Sequence, residues 1–431
     1  MSVRTFLVSR IAEQITGAKR QRKLRERAEY RRRASASAHR IDYFHQASDP
    51  YSCLVAQVLP QLAARYDIEL SCHLVSAPPD WAAPEREKLD AWSRLDAMRL
   101  ARRAGLHFID PGAPPSLEAI ERAEAALAQS LRADTFIGDA ANISIALWSG
   151  GMLPLASGDA ASLKAEGDAV RASLGHYLGG MLHYGGEWYW GLDRLHYLEE
   201  RLAALGARKP EAPADPIYPQ PLSPLPDASP ADGAPGNLHF YLSFRSPYTW
   251  IATTRVKALA DAYGLNLRLR FVLPMVMRGL PVPPAKRSYI TLDAAREARR
   301  AGMPFGRIAD PVGKPVERGY SLLPWAIAQG RGYEFCFAFM RAVWSQGVDA
   351  GSDAGIRKIV EAAGLDWREA QPRLDNNDWR AEAEANRREL LGLGLWGVPS
   401  FRFGDTFAWG QDRLWVIEDA IRNQVVHETG R

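Results

Sequence analysis

The chain has 431 residues, 47% of them hydrophobic, and carries a formal net charge of +4, enough apolar material for sizeable cores in two to three domains. No run approaches the roughly 20 apolar residues of a membrane span, and Cys53, Cys72 and Cys336 form neither a C-x-x-C pair nor a zinc spacing, so neither a disulfide framework nor a metal site is indicated. Charge is uneven: residues 1–40 hold twelve Lys/Arg against three Glu, leaving 42 Lys/Arg against 47 Asp/Glu in the remainder. Nothing marks export, so a reducing cytoplasm is the expected location.

Taken in chain order, residues 1–39 predict a basic helix or tail. Its run Lys19-Arg-Gln-Arg-Lys-Leu-Arg-Glu-Arg27 with Arg31-Arg-Arg33 is either a solvated face or a contact for acidic lipid or an acidic partner. It has no interleaved aromatics and no nucleic-acid module, so nucleic-acid binding is not expected. From residue 40 the chain repeats itself. Leu95-Asp-Ala-Met-Arg-Leu-Ala-Arg-Arg-Ala-Gly-Leu-His-Phe108 returns as Leu292-Asp-Ala-Ala-Arg-Glu-Ala-Arg-Arg-Ala-Gly-Met-Pro-Phe305. Asp49-Pro-Tyr51 aligns with Ser246-Pro-Tyr248 in the same register, and Trp190-Gly-Leu-Asp-Arg-Leu195 with Trp409-Gly-Gln-Asp-Arg-Leu414. Positions kept in both copies are candidates for fold; those that diverge are candidates for a site held by one copy.

The copies span 40–206 and 237–425. Between them, 207–236 is a linker in which roughly one residue in three is proline, a density that excludes helix and central strand. In the second copy Leu238, Phe240, Leu242 and Phe244 alternate with polar neighbours as a strand. Pro247 opens a helix running to Tyr263, and Leu265 to Phe271 alternate again, as Ile68 to Leu74 do in the first copy. Strand, helix and strand within about 35 residues predict a right-handed βαβ unit. Helical stretches follow at 96–105 and 118–132 in the first copy and at 293–302 and 335–347 in the second. The second copy closes with strands at 400–403 and 406–409 and a helix at 412–423. The expected fold is therefore α/β: two thioredoxin-like domains, each with an inserted helical subdomain.

Phe240-Tyr-Leu-Ser-Phe-Arg-Ser-Pro-Tyr-Thr-Trp250, Pro284-Ala-Lys-Arg-Ser-Tyr289, Trp396-Gly-Val-Pro-Ser-Phe401 and Trp409-Gly-Gln-Asp-Arg-Leu414 resemble the 2-hydroxychromene-2-carboxylate isomerases and kappa-class glutathione transferases. The first copy resembles a degenerate relative in the same superfamily. Disulfide oxidoreductases of this fold hold a reactive cysteine where this chain has Ser246, which speaks against dithiol chemistry. The resemblance implies a glutathione-dependent isomerase or transferase acting on an aromatic-derived or conjugated electrophile, with glutathione as cofactor, no metal, and the Ser246 hydroxyl donating to the glutathione thiolate. A helix N-terminus favours an anion independently of any resemblance, although a serine there can equally be a plain cap.

The resemblance further implies that Val398-Pro399 is a cis-proline turn presenting backbone to glutathione as a short strand. It places Gln411 and Asp412 at the γ-glutamyl end. Asp412 is as readily structural, because Asp193-Arg194 keeps the pair in a copy with Asp49 for the serine and Gly180 for the proline. Tyr248 and Trp250, with Trp396, form either an aromatic pocket or core. Lys286 and Tyr289, with Arg287, either meet an acidic small-molecule substrate or begin a solvated helix. Single-copy relatives pair, so the tandem chain is expected to be a monomer with an intramolecular pseudo-dimer, its first copy binding no glutathione. The competing reading is a non-catalytic binding or scaffold protein.

Overall fold

A computed structural model of the chain describes residues 3–221, 223–225 and 236–429. Two helices come first, α1 (Val3–Thr16) and α2 (Ala18–Ala34), in agreement with the helix-forming composition of the basic segment. The chain folds as two compact units. One comprises Met1–Gln21, Pro221–Val282 and Ile290–Arg431; the other comprises Arg22–Gln220 and Pro283–Tyr289.

The unit built on the first copy runs β1 (Arg40–His45), α3 (Pro50–Arg65), β2 (Glu69–Leu74), then helices α4 (Arg86–Ala104), α5 (Leu117–Arg132), α6 (Phe136–Ser149) and α7 (Ala160–Ser173), then β3 (Met181–Tyr184), β4 (Glu187–Trp190) and α8 (Leu195–Ala204). Its sheet has the order β2-β1-β3-β4, with β1 parallel to β2 and antiparallel to β3. The unit built on the second copy repeats this plan with β5 (Asn237–Leu242), α9 (Pro247–Ala262), β6 (Asn266–Phe271), α10 (Pro284–Arg300), α11 (Lys314–Ala328), α12 (Gly332–Ser345), α13 (Asp353–Ala362), the short α14 (Trp367–Ala370), α15 (Trp379–Gly392), β7 (Ser400–Phe403), β8 (Thr406–Trp409) and α16 (Leu414–Thr429). Its sheet order, β6-β5-β7-β8, is the same. Both units are thioredoxin-like with a helical insertion between the second and third strands.

The sequence pattern carried the first strand of the second copy to Phe244, whereas β5 ends at Leu242. Ser243 turns instead: its carbonyl accepts from Ser246 N at 2.9 Å, and its N–H reaches Thr249 Oγ1 at 3.5 Å. That turn brings Ser246 to the head of α9. The alternating positions Leu238, Phe240 and Leu242 are fully buried, with Phe240 stacked on Phe401 of the neighbouring strand at 5.5 Å.

The described part of the proline-rich segment contains no helix or strand, and is held by the same device in each unit. In one, Ile217 N donates to Glu199 at 3.0 Å and Tyr66 Oη donates at 3.3 Å. In the other, Ser223 Oγ and Leu225 N donate to Glu418 at 2.8 and 2.9 Å, and Tyr263 Oη at 3.1 Å. Burial pushes the Glu199 carboxyl up to about 7. Residues 222 and 226–235 of the expected linker lie outside the described residues.

Candidate active site

Ser246 is the N-cap of α9, with extended backbone (φ −97°, ψ 114°) and Pro247 as the first helical residue. Its Oγ accepts from Thr249 N at 3.2 Å and donates to the Val398 carbonyl at 3.3 Å. The Val398–Pro399 bond is cis, as the resemblance implied. Pro399 O accepts from Gly410 N at 2.9 Å, which ties the turn to the loop after β8. Gly397 makes room for this turn: a Cβ there would stand 2.6 Å from the Trp409 ring. A half-buried hydroxyl, a helix N-terminus and the backbone before a cis proline therefore converge on one point. This arrangement suits a negatively charged atom, because unsatisfied N–H groups and the helix dipole both stabilise it.

The first copy has the same geometry and different chemistry. Asp49 caps α3, accepting from Tyr51 N at 3.3 Å, Ser52 N at 2.9 Å and Ser52 Oγ at 2.7 Å. Burial raises its carboxyl to about 6 against the opposing pull of these bonds. Gly180 stands where the second copy has Pro399, its carbonyl accepting from Gly191 N at 2.9 Å. It adopts φ +62°, and a Cβ on it would lie 3.0 Å from Asp49 Oδ2. An ionised Asp49 would repel a thiolate at this helix start.

Several expected contacts belong elsewhere. Gln411 is buried, its Nε2 donating to Glu297 at 2.6 Å while Arg255 donates to its carbonyl at 2.7 Å and to its side-chain oxygen. These bonds fix the loop that follows β8. The first copy has Val58, Leu192 and Leu100 at the positions of Arg255, Gln411 and Glu297, so this polar network is confined to the second copy. That divergence was readable in the repeat, although only the packing shows the three to be partners. Asp412 is half-buried, 3.4 Å from the Arg413 guanidinium, with its carboxylate folded over Gly410.

Trp250 is fully buried, donates to Pro304 O at 2.9 Å and packs on Phe337, which makes it core instead of a pocket wall. Trp396 is likewise buried, against Trp409. Tyr248 donates to Asp293 at 2.8 Å and packs on Ile251, Ala294 and Ala298. Tyr51 donates to Asp96 at the same 2.8 Å in the first copy, so the pair is common to both copies. Lys286 and Tyr289 fall in the compact unit of the first copy. There the Lys286 ammonium donates to Ala82 O at 3.1 Å, with burial lowering its pKa, and Tyr289 packs against Phe44, Val75, Met181 and the His176 ring. Their early position in α10 did not reveal this, since both are held by residues more than 100 positions away in the sequence. Arg245 escaped notice in the sequence: it flanks Ser246 and forms a two-point ion pair with Asp310 at 2.8 and 2.9 Å.

No described cysteine stands at either helix start. Cys53, Cys72 and Cys336 are free, and burial pushes each thiol up to about 12. Among the described residues no His/Cys/Asp/Glu group could hold a metal ion.

Residues 237–422 match the family described as the DSBA-like thioredoxin domain. Over 190 residues the chain is 25% identical to the 2-hydroxychromene-2-carboxylate isomerase of Pseudomonas putida, which covers 42% of this chain and 92% of the relative. A second Pseudomonas isomerase of that name is 24% identical over 190 residues, covering 42% of this chain and 88% of the relative. Among solved structures, a 2-hydroxychromene-2-carboxylate isomerase shares 22% identity over 45% of this chain and 98% of its own, at a TM-score of 0.39. The cytosolic disulfide reductase DsbM from Pseudomonas aeruginosa shares 19% identity over 45% and 98%, at a TM-score of 0.33.

Proposed function

We propose that the second copy is a glutathione-dependent isomerase or transferase for aromatic-derived or conjugated electrophiles, with Ser246 at its centre. The observation that carries this reading is the Ser246 hydroxyl at a helix N-terminus, 3.3 Å from the carbonyl before cis-Pro399. Similarity to named isomerases supports the reaction class.

The residues suit glutathione in three respects. Ser246 Oγ can turn its proton from the Val398 carbonyl to a sulfur, the Val398 backbone lies where an extended peptide would pair, and half-buried Asp412 can meet an ammonium. Bound glutathione would supply a thiolate that adds to a conjugated double bond and leaves after rotation about the resulting single bond. Ser246 would keep that sulfur ionised by donating a hydrogen bond to it while retaining its own proton, and the α9 N-terminus adds its dipole. Pro399, locked to Gly410, keeps the opposing backbone fixed, and the Arg255–Gln411–Glu297 network holds the loop bearing Asp412. Free cysteines suit a reducing compartment such as the cytoplasm, and the duplication suits a chain that acts as a monomer.

Calorimetric titration of glutathione into the intact protein tests the reading. One site per chain is expected, lost on Ser246→Ala combined with Pro399→Ala and unchanged by Asp49→Ala. No binding would leave the non-catalytic reading standing, and two equal sites would overturn the assignment to the second copy.

A further inference from the structure

Helix α1 is packed inside out. The face it turns to its own unit carries small polar side chains: Ser9 and Thr16 are buried. Ser9 sits so close to Gly347 that a Cβ there would stand 2.3 Å from its Oγ, and Thr16 bears equally on Gly306 at 2.6 Å. The Arg299 guanidinium caps the helix end, donating to Thr16 O at 2.8 Å. The opposite face carries Leu7, Val8, Ile11 and Ile15, which are 55%, 53%, 55% and 40% exposed, with Phe6 beside them at 39%. Leu7, Ile11 and Ile15 recur every four residues and so form one stripe. A helix that buries serine and threonine while exposing leucine and isoleucine is oriented for a partner outside its unit.

Charge selects the partner. From α1 the chain passes through Gly17 directly into Lys19 and Arg20, both exposed and both in the same compact unit as α1. An apolar helical stripe followed by a cationic pair matches the two components of an anionic membrane surface, acyl boundary and acidic headgroup. No described helix is long and apolar enough to cross a membrane, so the mode is lying on the surface.

We propose that α1, with Lys19 and Arg20 directly after it, docks on an anionic lipid surface, Leu7, Val8, Ile11 and Ile15 entering the headgroup–acyl boundary. The binding is electrostatic in part and therefore salt-sensitive.

Flotation of the full chain with vesicles of phosphatidylcholine alone, and of equal parts phosphatidylcholine and phosphatidylglycerol, tests this. The chain should float with the anionic vesicles only, and added salt should release it. Leu7→Ser with Ile11→Ser should weaken binding at least about tenfold by removing apolar burial. Lys19→Gln and Arg20→Gln should each weaken it about fivefold, in surface changes that leave the fold intact and so keep the test valid if the apolar pair misfolds. Equal binding to neutral vesicles, or none to anionic ones, would overturn the proposal. So would a self-associated species in sedimentation that Leu7→Ser with Ile11→Ser dissolves, since a second copy would then cover the stripe. Duplex RNA bound more tightly than vesicles and indifferent to that pair would do the same.

Discussion

Replacing Ser246 by alanine removes one oxygen that makes two bonds, accepting from Thr249 N at 3.2 Å and donating to Val398 O at 3.3 Å. Loss of the cap costs the helix about 1 kcal/mol, which the fold survives because α9 buries Trp250, Ile251, Val256 and Leu259 completely. With glutathione bound, the lost bond is one to a charged sulfur, worth about 1.5–3 kcal/mol. At about 1.4 kcal/mol per pKa unit, the bound thiol should titrate roughly one to two units higher in the variant. The shift is bounded because the Thr249 N–H, released from Ser246 Oγ, remains aimed at the site. Turnover of a conjugated electrophile at neutral pH should fall by on the order of 10²-fold, the usual loss of one donor to an anion. Thiolate absorbance of the glutathione complex against pH, in both proteins, reads the effect directly. Coincident midpoints would refute the reasoning and reduce Ser246 to a helix cap.

Glu199 has a raised folded pKa, about 7 against an ordinary 4.5, so its ionisation opposes folding. The penalty is absent below about pH 4.5 and fully imposed above about 7, reaching at most about 3 kcal/mol. Glu199→Gln should therefore gain on the native protein in urea midpoint between pH 5 and 8, and parallel profiles would contradict this. Native Cys53, Cys72 and Cys336, with thiols pushed up to about 12, should resist alkylation near pH 8 until the chain is unfolded; fast native labelling or disulfide-reductase activity would count against the non-dithiol reading. Gly397→Ala would press a methyl into the Trp409 ring at 2.6–2.9 Å and should lower unfolding stability by about 1–3 kcal/mol; an unchanged denaturant midpoint would show that the turn relaxes freely.

Local periodicity and the internal repeat were sufficient for the plan of each copy. Alternation placed the strand from Leu238 but ran it on to Phe244, two positions past its end at Leu242, and Pro247 marked the start of α9, because strand pleat and the first helical turn are specified by near neighbours. The Asp49/Ser246 and Gly180/Pro399 differences were also legible, since the repeat supplied its own comparison. Tertiary packing decided the rest. Trp250, Gln411 and Tyr248 carry side chains suited equally to a ligand and to a core, and only the folded chain brings Pro304, Arg255 with Glu297, and Asp293 to them as partners. Lys286 and Tyr289 follow Ser246 by about 40 residues, yet their partners are Ala82, Phe44 and His176. The exposed stripe of α1 was hidden for the same reason: sequence shows that Leu7, Ile11 and Ile15 share a face, but which face a helix buries is fixed by the surface it meets, here the close approach of Ser9 to Gly347 and of Thr16 to Gly306.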